Sequence, residues 1–145
     1  MKKAVCIILL SAVVLSVVVS CAVVFAGRTS VSYHFVMKLR NVDGWNNGKS
    51  FSLPAGTASI SGYMSAEPID VTSSANPNPV NYSLCSKGFL NLFTTEHGTV
   101  RGSAWGYFSG TFGEVPKGNK YYLNAWMVVS DYWKHTGDGE ITVTY

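Results

Sequence analysis

The chain has 145 residues, 47% of them hydrophobic and 13% charged, with a formal net charge of +3. These averages hide an uneven distribution, because residues 4–26 form one uncharged, largely apolar run behind Lys2 and Lys3. Beyond residue 26 the chain carries nine Lys and Arg against eight acids, a net of +1, together with 18 aromatics. A disordered tail is excluded by that apolar and aromatic content. A polytopic membrane protein is excluded by the lack of a second long apolar run. Near-neutrality argues against nucleic acid as a partner. The remaining stretch, about 119 residues, is the size of one domain with its own core.

Residues 1–26 have the parts of an export signal: a basic start, an apolar stretch and a small residue at the end. Cleavage after Ala26 would leave Gly27 as the new N-terminus. Two other readings fit the same residues. Val18-Val19-Ser20-Cys21 resembles a bacterial lipobox, in which Cys21 would be lipidated. The 23-residue run is also long enough for a retained anchor, since it would reach about 34 Å across a hydrocarbon core of about 30 Å. Lys2 and Lys3 hold the N-terminus in the cytoplasm in each case. Residues 28–145 are therefore expected outside, as a secreted, lipidated or membrane-anchored domain, with membrane contact through residues 4–26 if they are retained. A chain cleaved after Ala26 keeps Cys85 alone, which cannot form an internal disulfide. Cys85 sits in the alternating run VNYSLCS and reads as a small buried hydrophobe.

After residue 26 the periodicity is that of strands, not helices. Val31, Tyr33, Phe35, Met37 and Leu39 fall on one face, with Ser32, His34, Lys38 and Arg40 on the other. This predicts a half-buried strand. Asp43-Gly44 and Asn47-Gly48 predict a hairpin-like connection over residues 41–49. A short strand is expected at Ser50–Leu53, with a break at Pro54-Ala55-Gly56. Another covers Thr57–Ser65, with Ala58, Ile60, Gly62 and Met64 against Ser59, Ser61 and Tyr63. Residues 66–79 hold three of the five prolines and read as a long loop. Val80–Ser86 resumes alternation, and Phe89–Phe93 is a short apolar piece. Val100–Phe112 places Val100, Gly102, Gly106, Phe108, Gly110 and Phe112 on one parity. Glycines on that side allow close backbone approach and leave Trp105 and Tyr107 prominent on the other. Tyr121–Ser130 and Glu140–Tyr145 complete the set. The expected fold is all-β, an antiparallel β-sandwich of seven to eight strands, with a barrel as second choice. At the level of pattern it resembles the jelly-roll modules of exported proteins, a likeness that carries no residue-level function.

Catalytic motifs are absent: there is no G-x-S-x-G, H-E-x-x-H, P-loop, Rossmann glycine set or C-x-x-C. No catalytic residue is assigned, and the chain is read as a non-enzyme. Glu96-His97 is expected in a loop. Residues 131–140 are the densest polar cluster, and Asp131, Asp138 and Glu140 (with His135) are the only grouping that suggests a calcium site. The competing reading is a plain loop turning at Gly137-Asp138-Gly139. The aromatics are the stronger lead. Trp45 sits in a predicted turn, Tyr132 and Trp133 in a predicted loop, and Trp105 and Tyr107 oppose the glycines. Flat rings among polar neighbours suit sugar stacking or a membrane interface. The expected function is an exported binding module for a surface polymer, lipid or protein, and the alternative is a small secreted effector such as a toxin or inhibitor.

Overall fold

A computed structural model describes residues 27–73 and 76–145. The export, anchor and Cys21 readings lie outside the described residues. Nine strands follow one another: β1 (Arg28–Met37), β2 (Asn41–Asp43), β3 (Phe51–Leu53), β4 (Gly56–Pro68), β5 (Asn81–Lys87), β6 (Thr94–Arg101), β7 (Gly106–Val115), β8 (Gly118–Trp126) and β9 (Trp133–Thr144). One sheet has the order β1-β9-β4-β7. The other has the order β2-β8-β5-β6, with β3 also pairing β8. Every ladder is antiparallel. The sheets do not close into a barrel.

The predicted alternation supplies the inner faces. Phe35 and Met37 of β1, Ile60 and Met64 of β4, Phe108 and Phe112 of β7 and Ile141 and Val143 of β9 meet Tyr82, Leu84, Val100, Tyr121, Leu123 and Ala125 of the second sheet. Among the described residues, all buried members of this core fall between Phe35 and Val143. Its centre is aromatic. Tyr82 stacks on Phe108 with ring centroids 4.6 Å apart and meets Phe35 edge-on at 5.9 Å. Burial pushes the Tyr33 and Tyr82 hydroxyls well above the usual tyrosine range.

Large rings need room on the strands they cover, and glycine provides it. Tyr33 pairs with Gly139 and Phe35 with Gly137 across the β1–β9 ladder, and Gly62 of β4 pairs with Gly139. A Cβ on Gly137 would strike the Phe35 ring; one on Gly139 would strike the Ser61 carbonyl oxygen and the Tyr33 hydroxyl.

Three expectations change. Gly137-Asp138-Gly139 is not a turn: it lies inside β9, where the glycines accommodate β1 rings. Glu96 and His97 are not in a loop but in β6, the edge strand of the second sheet. Residues 41–49 do not join a hairpin, because β2 and β3 are both antiparallel to β8. They are two pieces of one edge strand, interrupted by a loop in which Asp43 accepts from the backbone N–H of Trp45 at 2.8 Å.

Gly139→Ala is expected to cost about 1–3 kcal/mol, because the added methyl meets backbone that cannot retreat. Denaturant unfolding checks it, with Ser109→Ala on the exposed face of β7 as a neutral control.

Candidate functional site

Because Tyr33, Phe35, Gly137 and Gly139 face inward, their neighbours face out. The register sets His34, Asp138, Tyr63 and Tyr107 side by side across β1, β9, β4 and β7. Strands lie about 4.8 Å apart, so the row is about 14 Å long. Tyr63 is 60% exposed and Tyr107 70%. Trp105, two residues upstream of Tyr107 where the chain enters β7, is 56% exposed. At the other end of the row, His34 Nδ1 lies 2.6 Å from Asp138 Oδ1.

Apart from Glu140, the rows beneath are small and hydroxylated. Ser32, Glu140, Ser61 and Ser109 form the next, then Ser30, Thr142, Ser59 and Thr111. Ser30 and Thr142 hydroxyls are hydrogen-bonded at 3.0 Å. The result is a low polar floor with aromatic rings standing at one corner. Such a surface can stack rings on the C–H faces of sugars and offer carboxylate and hydroxyl groups to their hydroxyls. It brings together Trp105, Tyr107, Asp138 and Glu140, which the sequence had placed in separate lists of aromatic and metal-binding residues. It adds Tyr63 and His34. Tyr63 carried a signal in the sequence, since it shares parity with Ser59 and Ser61, opposite the apolar side.

The other predicted residues go elsewhere. Trp45 is half-buried on the outer face of the second sheet, with its ring 6.0 Å from that of Tyr122 and the Lys87 ammonium 5.8 Å above it. It folds back onto the sheet and is not presented. Trp133 begins β9 and is also half-buried. Tyr132 is 53% exposed and held at φ 60° in the β8–β9 connection, away from the row. The calcium grouping does not assemble: Asp131 is buried, whereas Asp138 and Glu140 lie on the exposed face of β9. Among the described residues no cluster of three His, Cys, Asp or Glu is placed to hold a metal ion.

Asp131 instead closes one end of the fold. Its Oδ2 accepts from His135 Nε2 at 3.0 Å and from the backbone N–H of Asn78 at 2.6 Å. Its Oδ1 accepts from the backbone N–H of Trp133 at 3.0 Å. One carboxylate thus ties the β4–β5 connection to the start of β9. His97 Nε2 lies 2.8 Å from the Ser86 hydroxyl, and burial lowers its pKa. Cys85 is buried on the second sheet, and desolvation first, then the Glu96 charge, pushes its thiol up. That opposes thiolate formation and agrees with a packing role.

No known family, curated protein or solved structure matches the chain.

Asp131→Ala strips three N–H groups of their acceptor and is expected to destabilise by at least about 1–3 kcal/mol, read by thermal or denaturant unfolding. A second expectation concerns pH. The folded state holds His97 below its unfolded value of about 6.5, so the unfolded chain binds the proton more readily. The stability due to neutral His97 is present above that pH and lost as pH falls through it. Melting temperature against pH should therefore decline less steeply below about 6.5 in His97→Gln than in the parent.

Proposed function

We propose that the protein is an exported, non-enzymatic jelly-roll module that binds an extended surface polysaccharide across the outer face of the β1-β9-β4-β7 sheet. The observation that carries this reading is the row in which Tyr63 and Tyr107 stand exposed beside each other, with Trp105 next to them and Asp138 in the same line. Large rings exposed together are costly in water unless they serve a contact. These rings stand on a flat sheet rather than in a pocket, which suits a chain longer than one sugar.

The jelly-roll description is supported by chain order. If β2 and β3 are taken as one interrupted strand, eight strands divide into two four-stranded sheets, ordered β1-β9-β4-β7 and β2-β8-β5-β6. Two antiparallel Greek keys wound together produce this interleaving. Export is supported by the basic start and apolar run of residues 1–26.

Retention on insoluble polysaccharides (cellulose, chitin, cell-wall sacculi) tests the reading. The double variant Tyr63→Ala/Tyr107→Ala is expected to bind about tenfold or more weakly, the effect of removing stacked rings. Its melting temperature should stay near that of the parent, because both rings are exposed. Absence of retention on every polymer, or equal retention by the double variant, would remove the proposal. Mass measurement of the exported protein checks the leader separately; recovery of only the full-length chain from the cytosol would remove the export part.

A further inference from the structure

The β5–β6 connection carries a second surface, remote from the aromatic row. Phe89, Leu90, Leu92 and Phe93 are 78%, 66%, 71% and 67% exposed. Four of five consecutive side chains at a hairpin tip are thus large, apolar and turned to solvent. The backbone beneath them is ordered by its own bonds: Gly88 N–H donates to Phe93 O at 2.8 Å and Leu92 N–H to Phe89 O at 3.1 Å. Leu90 and Asn91 adopt φ of 51° and 62°. A leucine in the left-handed region is disfavoured, and Gly or Asn would normally stand there. The sequence accepts that strain and keeps the apolar side chain at the tip.

We infer that this tip inserts into the interface of an anionic lipid bilayer. Three observations select a bilayer as the occupant. First, the tip projects from a turn, a shape suited to entering a soft interface. Interfacial apolar groups enter the headgroup boundary by about 5–10 Å. Second, the charge is complementary. Arg28, Lys87, Lys117 and Lys120 lie near the strand ends at the tip's end of the fold, against Glu96 and Glu114. None of these four cations is engaged in an ion pair among the described residues. Basic groups beside an inserted apolar tip draw it to anionic headgroups. Third, the chain enters the fold at this same end. Gly27 donates to Tyr145 O at 2.6 Å beside the start of β1, and the uncharged run of residues 4–26 lies immediately upstream. A bilayer holding that run would face this end of the domain.

The test uses residues 27–145, which contain the whole described core and lack the apolar run that could itself float the chain. Flotation is compared on vesicles of phosphatidylcholine alone and of phosphatidylcholine mixed with phosphatidylglycerol. The parent is expected to float with the mixed vesicles, less so at high salt. The variant Phe89→Ser/Leu90→Asn/Leu92→Ser/Phe93→Ser is expected to lose about tenfold or more of that binding, with an unchanged melting temperature. In Phe89→Trp the added emission should shift to the blue on mixing with those vesicles. Tyr63→Ala/Tyr107→Ala should float like the parent, which separates this proposal from the polysaccharide reading. Failure of the parent to float, equal flotation by the quadruple variant, or a parent dimer that the quadruple variant turns into a monomer would overturn it. The last outcome would assign the tip to a second copy of the chain.

Discussion

The seating of two β1 rings on two β9 glycines is the contact on which the rest of the structure depends. Tyr33 lies opposite Gly139 and Phe35 opposite Gly137, and neither glycine could carry a Cβ without meeting a ring, a hydroxyl or backbone. A strand has a side-chain period of two, so a slip of one residue would exchange its faces. Fixing the glycines inward therefore fixes Asp138 and Glu140 outward. β9 also pairs with β4 along its whole length, which passes the same register to Tyr63 and, through the β4–β7 ladder, to Tyr107. The exposed row is a consequence of how the core is filled.

The two ends of the domain are built differently. At one end the β1–β2, β4–β5, β6–β7 and β8–β9 connections meet, and polar side chains hold them: the buried Asp131 carboxylate binds Asn78, Trp133 and His135, while the exposed Arg40 guanidinium donates to Val128 O at 2.7 Å. A buried carboxylate left without these donors would be costly, so its presence specifies one arrangement of those loops. At the other end the connections are mostly short turns, and the β5–β6 tip is held by backbone bonds and, at its base, by the Lys87 ammonium donating to the Thr94 hydroxyl at 2.8 Å. Side chains at that tip are free of any role in closing the fold, which leaves them available for contact.

Much of the fold was legible in the sequence where one side of a strand is apolar and the other polar. β1, β4 and β5 declared themselves this way, and Tyr63 could be read as exposed because it alternates with Ser59 and Ser61. β6 did not, because an edge strand with only Val100 buried has no apolar stripe to recognise. β9 was hidden for the opposite reason: its inward positions include two glycines, and Gly-Asp-Gly has the composition of a turn. What makes it a strand is the pair of rings on β1, about 100 residues away in sequence, and no local window contains both partners. Trp45 misled for a related reason. Its turn was correctly located, yet a turn lying over a sheet can fold its aromatic back, and the Tyr122 ring and Lys87 ammonium that receive Trp45 come from β8 and β5.

The two proposed surfaces are compatible because of strand direction. β4 runs from Gly56, at the end that holds the β5–β6 tip, to Pro68 at the far end. Tyr63 lies seven residues along it, about 23 Å from the start at roughly 3.3 Å per residue. An anionic surface is screened over about 8 Å at physiological ionic strength. A domain resting on its tip would thus hold the Tyr63–Tyr107 row clear of the headgroups. The sheet would stand steeply to the bilayer, with its polar floor turned sideways and its rings toward the outer end. A polymer lying along a cell surface could reach those rings without displacing the tip. The same fixed register that turns Asp138 outward would then separate the two contacts.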